Sequence, residues 1–228
     1  MTKSADAAPE RKEFHSSRFD RIDSSKREKI LAIAVEEFAE YGLVGANINR
    51  IAKEAGISIG SLYQYFATKE DLYLTVVNLG LEHLEKALTP ILESDLSAMD
   101  KIRRIIDTIF ETSSSEESLT RLYNRFTTEG NSELARMVAT RLESISAQAY
   151  TKLLRQAKDE GSMEKEADVK AFAFCMDSIF LILQFSLTSE YYRDRMKIYL
   201  GEDVLSQSGG LMDQVFRFIQ NALRGARS

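Results

Sequence analysis

The sequence contains one cysteine, two histidines and no tryptophan. A single thiol cannot form a disulfide within the chain, so the composition suits a reducing cytoplasm. Because Cys175 lies in an apolar segment, we expect a buried and inert thiol there. His15 and His83 are far apart, and no spacing of cysteine, histidine or carboxylate residues indicates a metal site or a catalytic motif. We therefore expect no metal, no cofactor and no enzymatic activity.

Proline is almost absent, which permits long helices. The two prolines, Pro9 and Pro90, leave uninterrupted stretches between and after them, and helix interiors rarely tolerate proline. The chain has 228 residues, of which 44% are hydrophobic, enough for the cores of one or two domains. Glycines fall where apolar segments end, at Gly42, Gly56, Gly130, Gly161, Gly201, Gly209 and Gly210. We predict an all-α protein.

Neither a leader peptide nor a membrane span is indicated. Residues 1–17 are polar and contain no apolar run. Residues 171–187 form the most apolar stretch, but they are few for a span and include Asp177 and Gln184. We expect a buried helix of a cytoplasmic protein that has no membrane partner.

The net charge of −5 does not indicate a nucleic-acid-binding protein. Residues 11–30 are locally positive, with seven Lys and Arg against four Asp and Glu, but residues 1–80 carry eleven against twelve. An acidic surface elsewhere would suppress non-specific binding to a polyanion. Any argument for DNA binding must therefore rest on a motif.

Residues 46–73 carry the pattern of two short helices joined by a tight turn. In the first helix the apolar positions recur at helical spacing, at Ile48, Ile51, Ala52 and Ala55. Asn47 is placed to cap its beginning, and Gly56 follows its end, where a left-handed residue is needed. Ser58 is placed to cap the second helix. Such a pair matches the DNA-reading helix-turn-helix unit.

The second helix has an apolar side and a polar side. Ile59, Leu62 and Phe66 recur on the apolar side. The outward residues are small or flat and rich in hydrogen-bonding groups, which suits close approach to a major groove; they are Gly60, Ser61, Gln64 and Tyr65.

This run and the preceding helix, SSKREKILAIAVEEFAEYG, resemble the N-terminal domain of the TetR family of bacterial transcriptional regulators. The resemblance covers residues 24–73. Its matching positions are Ile51, Ala52, Ala55, Gly56, Ile57, Ser58, Gly60, Leu62, Tyr63, Phe66, Lys69 and Leu72. Asn47 stands where the family more often has threonine, and Tyr65 stands where histidine is common; both replacements keep the chemical character of the position.

The resemblance and the chemistry of the second helix together give a set of candidate DNA contacts. Gln64 is the best base reader, since its amide can bond adenine in bidentate fashion, and the Tyr63 hydroxyl suits a phosphate. The alternative is that Tyr63 and Tyr65 only pack the domain. The candidates are Asn47, Ser58, Ile59, Gly60, Ser61, Tyr63, Gln64, Tyr65 and Lys69.

The predicted organisation is a disordered tail over residues 1–20, a three-helix DNA-binding domain over 21–68 and a larger helical ligand-binding and dimerisation domain over 69–228. Ser25 and Glu28 form a capping box for the first helix. Thr68 caps a helix that Pro90 ends near Leu88. Further helices are expected at 98–112, 116–128, 132–160, 166–193 and 210–224, and residues 190–203 read as a helix end and a solvated loop.

The family resemblance implies that the last two helices form a homodimer interface, with candidates Asp177, Gln184, Leu211, Val215, Phe218 and Ile219. It also implies a pocket for a small hydrophobic or amphipathic effector, with candidates Phe110, Phe126, Met137, Phe172, Met176, Phe180 and Gln184. For Asp177 three interpretations stay open: a register-fixing group between subunits, a polar anchor in an apolar pocket, or a core carboxylate paired with an arginine.

The resemblance thus implies a homodimeric, ligand-responsive repressor that binds a pseudo-palindromic double-stranded DNA operator. A ligand in the second domain would change operator binding through the helix that begins near residue 69. An alternative is a helical ligand-binding or adaptor protein with a vestigial helix-turn-helix. The near-neutral charge of the first 80 residues is the feature that favours this alternative.

Overall fold

The computed structural model describes residues 13–113, 117–129, 133–205 and 208–225, and it describes the backbone alone for residues 126–129, 133–139, 141, 142, 205 and 208. Helices account for the regular structure of these residues, as predicted. They are α1 (Ser17–Asp20), α2 (Ser24–Gly45), α3 (Ile48–Ala55), α4 (Ile59–Tyr65), α5 (Lys69–Glu93), α6 (Ala98–Thr112), α7 (Glu117–Glu129), α8 (Glu133–Asp159), α9 (Val169–Thr188), α10 (Glu190–Leu200), a short 3-10 helix (Glu202–Leu205) and α11 (Ser208–Arg224).

The chain divides into two compact units, Met1–Asn78 and Leu79–Ser228. In the first unit, α2 packs on α3, α3 on α4 and α4 on α1. Its core side chains come from each of these helices and from the first part of α5; they are Phe19, Ile30, Ala34, Phe38, Ile51, Leu62, Phe66, Leu72 and Val76. The first unit therefore builds its helix-turn-helix around one apolar core.

The second unit has its own core, to which α5, α6, α8, α9 and α11 contribute. The largest fully buried side chains there include Ile102, Ile105, Leu153, Leu154 and Leu223. Helix α9 packs on α6, α7, α8 and α10. A helix that contacts several neighbours must be apolar around most of its circumference, which explains its composition.

Among the described helices, α9 is long and apolar enough to cross a membrane. The mean hydropathy of its most apolar 18-residue stretch is 1.7. Within that stretch 39% is buried in this structure. Ala173, Met176 and Phe180 of α9 lie in the core of the second unit. The core helix of a folded domain meets the same criterion of length and composition, so the apolar run alone does not indicate a span.

Three predicted helix boundaries are wrong. Asp23, not Ser25, caps α2, because its carboxylate accepts a hydrogen bond from the Ser25 backbone N–H at 2.9 Å. Helix α5 continues through Pro90 to Glu93. The predicted 166–193 helix is two helices, since the chain is extended at Ser189, and residues 190–200 form α10 rather than a loop.

Residues 13–20 belong to the first unit rather than to a disordered tail. The Phe19 side chain is buried, and the centroid of its ring lies 4.7 Å from the centroid of the Phe66 ring. Burying a phenylalanine contributes about 2 kcal/mol to folding. Residues 1–12 of the predicted tail lie outside the described residues.

Candidate functional site

The two helices of the DNA-reading motif begin and end where local side-chain chemistry places them. The Asn47 side chain accepts hydrogen bonds from the backbone N–H groups of Asn49 and Arg50, at 3.0 and 3.4 Å. Gly56 ends α3 with φ of 72°, a conformation that favours glycine. Ser58 caps α4 by accepting from the Ser61 N–H at 3.0 Å. These three assignments made from the sequence are confirmed.

Helix α4 has one anchored side and one free side. Leu62 is buried in α4, and Phe66, directly after it, is buried as well. Gly60 and Gln64 are exposed, and Tyr63 is 49% exposed. Ile59, which spacing places on the apolar side, is exposed instead. The helix therefore presents Ile59, Gly60, Tyr63 and Gln64 outward while Leu62 holds it to the core.

Three other candidate contacts have partners within the chain. The hydroxyls of Ser58 and Ser61 lie 2.8 Å apart. The Tyr65 ring is half-buried against Phe19, with ring centroids 5.7 Å apart. These contacts favour a structural role for Ser61 and Tyr65. Tyr63 is exposed, so it does not fit the alternative that it only packs the domain.

Lys69 lies at the edge of the motif beside the Asn47 cap. Its ammonium donates to the carbonyl oxygens of Val44 and Ala46, at 3.1 and 3.2 Å. The Ala46 carbonyl belongs to the peptide bond that precedes Asn47. Lys69 and Asn47, both candidate phosphate contacts, are therefore brought together, and one of the three ammonium donors stays available.

A buried carboxylate positions α3 against α2, a feature that the sequence analysis missed. Glu37 is 6% exposed and accepts from the Asn47 backbone N–H at 2.7 Å. It also accepts from Arg50 Nε and Nη2, each at 2.6 Å. The Arg50 guanidinium lies 4.1 Å from the centre of the Tyr41 ring. The hydrogen bonds that Arg50 donates to Glu37 raise the pKa of Arg50. Glu37 thus ties the beginning of α3 to the body of the unit.

The segment before α1 holds the end of the recognition helix. The Ser16 backbone N–H donates to the Tyr65 carbonyl at 2.8 Å, and its hydroxyl donates to the Gln64 carbonyl at 2.6 Å. Carbonyls in the last turn of a helix lack partners within the helix. Ser16 therefore satisfies two of these acceptors on α4.

One group of side chains in the same segment has the donor types of a metal site. The ligand atoms of Glu13, His15 and Asp20 lie within 4.8 Å of one another. His15 Nε2 lies 2.8 Å from the Asp20 carboxylate, and this pair accounts for the contact without an ion. Positions 13, 15 and 20 match no familiar ligand spacing, so this group could not be predicted from the sequence.

Most of the candidate effector residues whose side chains are described lie in or against the core of the second unit. Met176 and Phe180 are core residues of the second unit, and Phe110 and Phe172 are half-buried against that core. The Gln184 amide donates to the Thr120 hydroxyl at 3.2 Å. The side chains of Phe126 and Met137 are outside the part of the chain that the structure describes. Gln184 is thus the candidate that brings a polar group between α9 and α7.

Four polar side chains from α7, α8 and α9 form what we call the acidic-aromatic cluster: Tyr123, Glu143, Tyr150 and Asp177. The Tyr123 hydroxyl donates to Glu143 at 2.7 Å. Burial, and to a lesser degree the charge of Glu143, raises the pKa of Asp177 to about 6. Burial and the charge of Asp177 raise the pKa of Tyr150. No described arginine or lysine pairs with Asp177, so the interpretation as an arginine-paired core carboxylate is wrong for the described part of the chain.

This environment predicts a stability effect at Asp177. Its raised pKa means that the folded chain holds a proton that the unfolded chain releases, so stability falls as pH rises from about 4 to about 6. Asp177→Asn removes that cost. We expect the variant to be more stable than the wild type by about 1–2 kcal/mol at high pH, a value discounted for partial exposure. Urea unfolding at about pH 8 and about pH 4.5 measures the difference, which should shrink at the lower pH.

Asp95→Asn is the matched control, because Asp95 is exposed and the change in charge is the same. Equal stability of Asp177→Asn and the wild type at both pH values would contradict the assignment.

Apolar side chains face outward on both of the helices expected at a subunit interface. Phe174 of α9 is 73% exposed and Phe218 of α11 is 65% exposed; Ile182 is exposed as well. Cys175 shares the outward face of α9, so the expectation of a buried thiol is wrong. The prediction failed because α9 is almost wholly apolar, so its sequence does not indicate which face is exposed to solvent.

The predicted interface residues are only partly at the surface. Ile219 is buried in the core of the second unit, so its assignment to an interface is wrong. Asp177 and Gln184 are half-buried between helices of the same chain. Leu211 and Val215 are half-buried, and Phe218 is the exposed candidate.

Comparisons with known proteins cover both units. Residues 30–76 match the family model of bacterial regulatory proteins of the tetR family. The chain is 30% identical over 173 residues to the uncharacterized HTH-type transcriptional regulator YezE of Bacillus subtilis (strain 168), covering 74% of this chain and 89% of that relative. It is 26% identical over 169 residues to the HTH-type transcriptional repressor KstR2 of Rhodococcus jostii (strain RHA1), covering 71% of this chain and 79% of the repressor.

A solved structure shows the same fold. The transcriptional regulator FadR from Bacillus subtilis, in complex with stearoyl-CoA, superposes with a TM-score of 0.68 at 17% identity. The match covers 88% of this chain and 99% of FadR. The likeness extends from the helix-turn-helix into the second helical unit.

Proposed function

Because this chain belongs to the TetR family of bacterial regulatory proteins, we propose that it is a homodimeric, ligand-responsive repressor that binds a pseudo-palindromic operator. The observation that carries the DNA-binding half is the free side of α4. Tyr63 and Gln64 are exposed there, while Leu62 is buried beneath them. The described core of the first unit does not include these outward side chains, so they are available to a groove.

The chemistry of each side chain determines whether it contacts a base or a phosphate. The Gln64 amide reads a base edge, and the Tyr63 hydroxyl and the Lys69 ammonium contact phosphates. Asn47 lies beside Lys69, so the two mark the edge of the contacted backbone. Gly60 lets α4 approach closely, because no side chain projects there.

Tyr63→Ala is expected to weaken operator binding by roughly 30- to 100-fold in a dimer that loses one phosphate hydrogen bond per subunit. Folding should be unchanged, since Tyr63 is half-exposed and lies outside the core. Fluorescence anisotropy with a labelled operator, together with thermal unfolding, measures both quantities. Tyr191→Ala, at an exposed tyrosine of α10, is the matched control and should bind normally. Normal binding by Tyr63→Ala would refute the contact.

The operator itself comes from in vitro selection of fragments of the source genome, followed by a salt titration on the selected site. A repressor of this kind enriches one inverted repeat and binds it far more tightly than random DNA at physiological salt. Weak binding to every DNA, with no sequence preference, would favour the adaptor alternative.

The homodimer is proposed through the outward faces of α9 and α11. Phe174, Ile182 and Phe218 are large apolar side chains that a monomer would leave in water. Burying such residues in an interface is favourable by about 25 cal/mol for each Å² of apolar surface. A two-fold dimer also matches the symmetry of an inverted repeat.

The effector is proposed to be a small hydrophobic or amphipathic molecule that binds the second unit. FadR from Bacillus subtilis was solved with stearoyl-CoA, a ligand with a long apolar tail. In this chain α7, α8 and α9 bring aromatic rings and polar groups together, as in Tyr123, Tyr150 and Phe180. Binding there alters operator affinity by the coupling free energy between the two sites.

A further inference from the structure

Three side chains of the segment that leads into the first unit bring possible metal ligands together: Glu13, His15 and Asp20. One donor atom from each lies within 4.8 Å of the other two. Donors that share a tetrahedral Zn²⁺ ion lie about 3.3 Å apart, since each is about 2.1 Å from the metal. The largest movement needed is therefore about 1.5 Å, which a change of rotamer in an exposed glutamate covers. Glu13 is exposed.

The mixture of donors indicates which ion would bind. An imidazole nitrogen favours Zn²⁺ and its neighbours among the transition metals, whereas Mg²⁺ and Ca²⁺ prefer a set of oxygen ligands alone. Two carboxylates beside a neutral imidazole match the charge of one divalent cation. Zn²⁺ is commonly held by three protein ligands with water in the fourth position. Glu13 and Asp20 are exposed, so water reaches the same place.

Two of the three ligands are held in place by contacts with other parts of the first unit. The His15 ring meets the ring of the buried Phe19 edge-on, with centroids 5.3 Å apart. The Asp20 backbone carbonyl accepts a hydrogen bond from Arg27 of α2 at 2.8 Å. The His15 Nε2 atom and the Asp20 carboxylate already lie 2.8 Å apart. Because ligands that are positioned in advance lose less freedom on binding, these contacts favour a site.

We propose that Glu13, His15 and Asp20 form a Zn²⁺ site that fastens this segment to the recognition helix. Ser16 lies between the ligands, and its N–H and hydroxyl donate to two carbonyls at the end of α4. An ion that joins positions 13, 15 and 20 restricts the chain on both sides of Ser16, so α4 is held more firmly. Such a site departs from the sequence-based expectation of no metal.

The site has a consequence for DNA binding. A recognition helix whose end is fixed keeps its base and phosphate contacts in register, so Zn²⁺ should strengthen operator binding. This coupling to the operator rests on the proposed function, whereas the metal site itself does not.

Isothermal titration calorimetry of zinc chloride into the metal-free full chain tests the site directly. We expect saturable binding of one Zn²⁺ per chain and no binding of Mg²⁺ at the same concentration. His15→Ala removes the nitrogen ligand and should lower the Zn²⁺ affinity at least about tenfold. Glu13→Gln should lower it as well and leave folding unchanged, because Glu13 is exposed. His83→Ala is the matched control, since His83 is the other histidine of the chain and should bind Zn²⁺ normally.

Thermal unfolding and operator anisotropy, each with Zn²⁺ and with a chelator, measure the consequences. Zn²⁺ should raise the unfolding temperature of the wild type, because it binds the folded chain, and it should leave that of Glu13→Gln unchanged. Operator affinity should rise about fivefold with Zn²⁺ in the wild type, the low end of coupling between two sites. In Glu13→Gln it should not change.

Two results overturn the site: no saturable binding of Zn²⁺, or equal affinity in the wild type, His15→Ala and Glu13→Gln. An equal loss in His83→Ala would also overturn it, because the ion would then bind elsewhere. Operator affinity that does not respond to Zn²⁺ overturns the coupling to DNA. A chain that binds Zn²⁺ but no specific DNA keeps the site and loses the proposed function.

Discussion

Replacing Glu37 with alanine is expected to abolish specific operator binding and to lower the free energy of unfolding of the first unit by about 2–3 kcal/mol. The carboxylate accepts three hydrogen bonds, one from the Asn47 N–H and two from Arg50. Its loss frees the beginning of α3, and with it the Asn47 cap and the turn that leads to α4. Small displacements of a recognition helix remove base and phosphate contacts together.

The measurement is urea unfolding combined with operator titration. Glu54→Ala is the matched control, because Glu54 is an exposed glutamate of α3 and its loss changes the net charge equally. Glu37→Gln should fall between the wild type and alanine, since the amide oxygen still accepts one or two of the hydrogen bonds. If Glu37→Ala kept wild-type operator affinity, Glu37 would not position the motif.

The second large effect is expected at the proposed dimer interface. The double variant Phe174→Glu, Phe218→Glu places charges on the two most exposed phenylalanines of α9 and α11. Charges that must be desolvated at an interface should raise the dimer dissociation constant on the order of 100-fold or more. Sedimentation should then show a monomer of 25.8 kDa. Operator affinity should fall in parallel, because linked half-site binding is lost.

Ile198→Glu is the control for that experiment. Ile198 is an exposed apolar residue of α10 and lies outside the proposed interface. It should leave the dimer and its operator affinity intact. Dissociation by Ile198→Glu, together with a stable dimer in the double variant, would move the interface from α9 and α11 to α10.

The parts of the first unit that were predictable are those that local chemistry decides. Asn47, Gly56 and Ser58 each bond backbone groups within four residues, so their roles can be predicted from the neighbouring sequence. The cap of α2 was missed because Asp23 and Ser25 are both good caps and lie two residues apart. Glu37 was missed because its partners are ten and thirteen residues away on another helix.

In the second unit the sequence predicts helices but not their faces. Helix α9 is apolar nearly all round, so periodicity did not distinguish Cys175 and Phe174, which turn outward, from Met176, which is buried. For the same reason Ile219 was assigned to a surface that it does not reach. The break between α9 and α10 was missed because Ser189 carries no strong stop signal such as proline or glycine.

The free side of α4 has a consequence for how this regulator acquires new targets. Ile59, Gly60, Tyr63 and Gln64 can be exchanged at little cost to folding, because the buried side chains that hold the helix to the core are those of Leu62 and Phe66. Substitutions at exposed positions of this kind usually change stability by less than about 0.5 kcal/mol. Operator preference can therefore change by successive substitutions while each variant still folds. A library randomised at these four positions would yield folded variants with new DNA preferences.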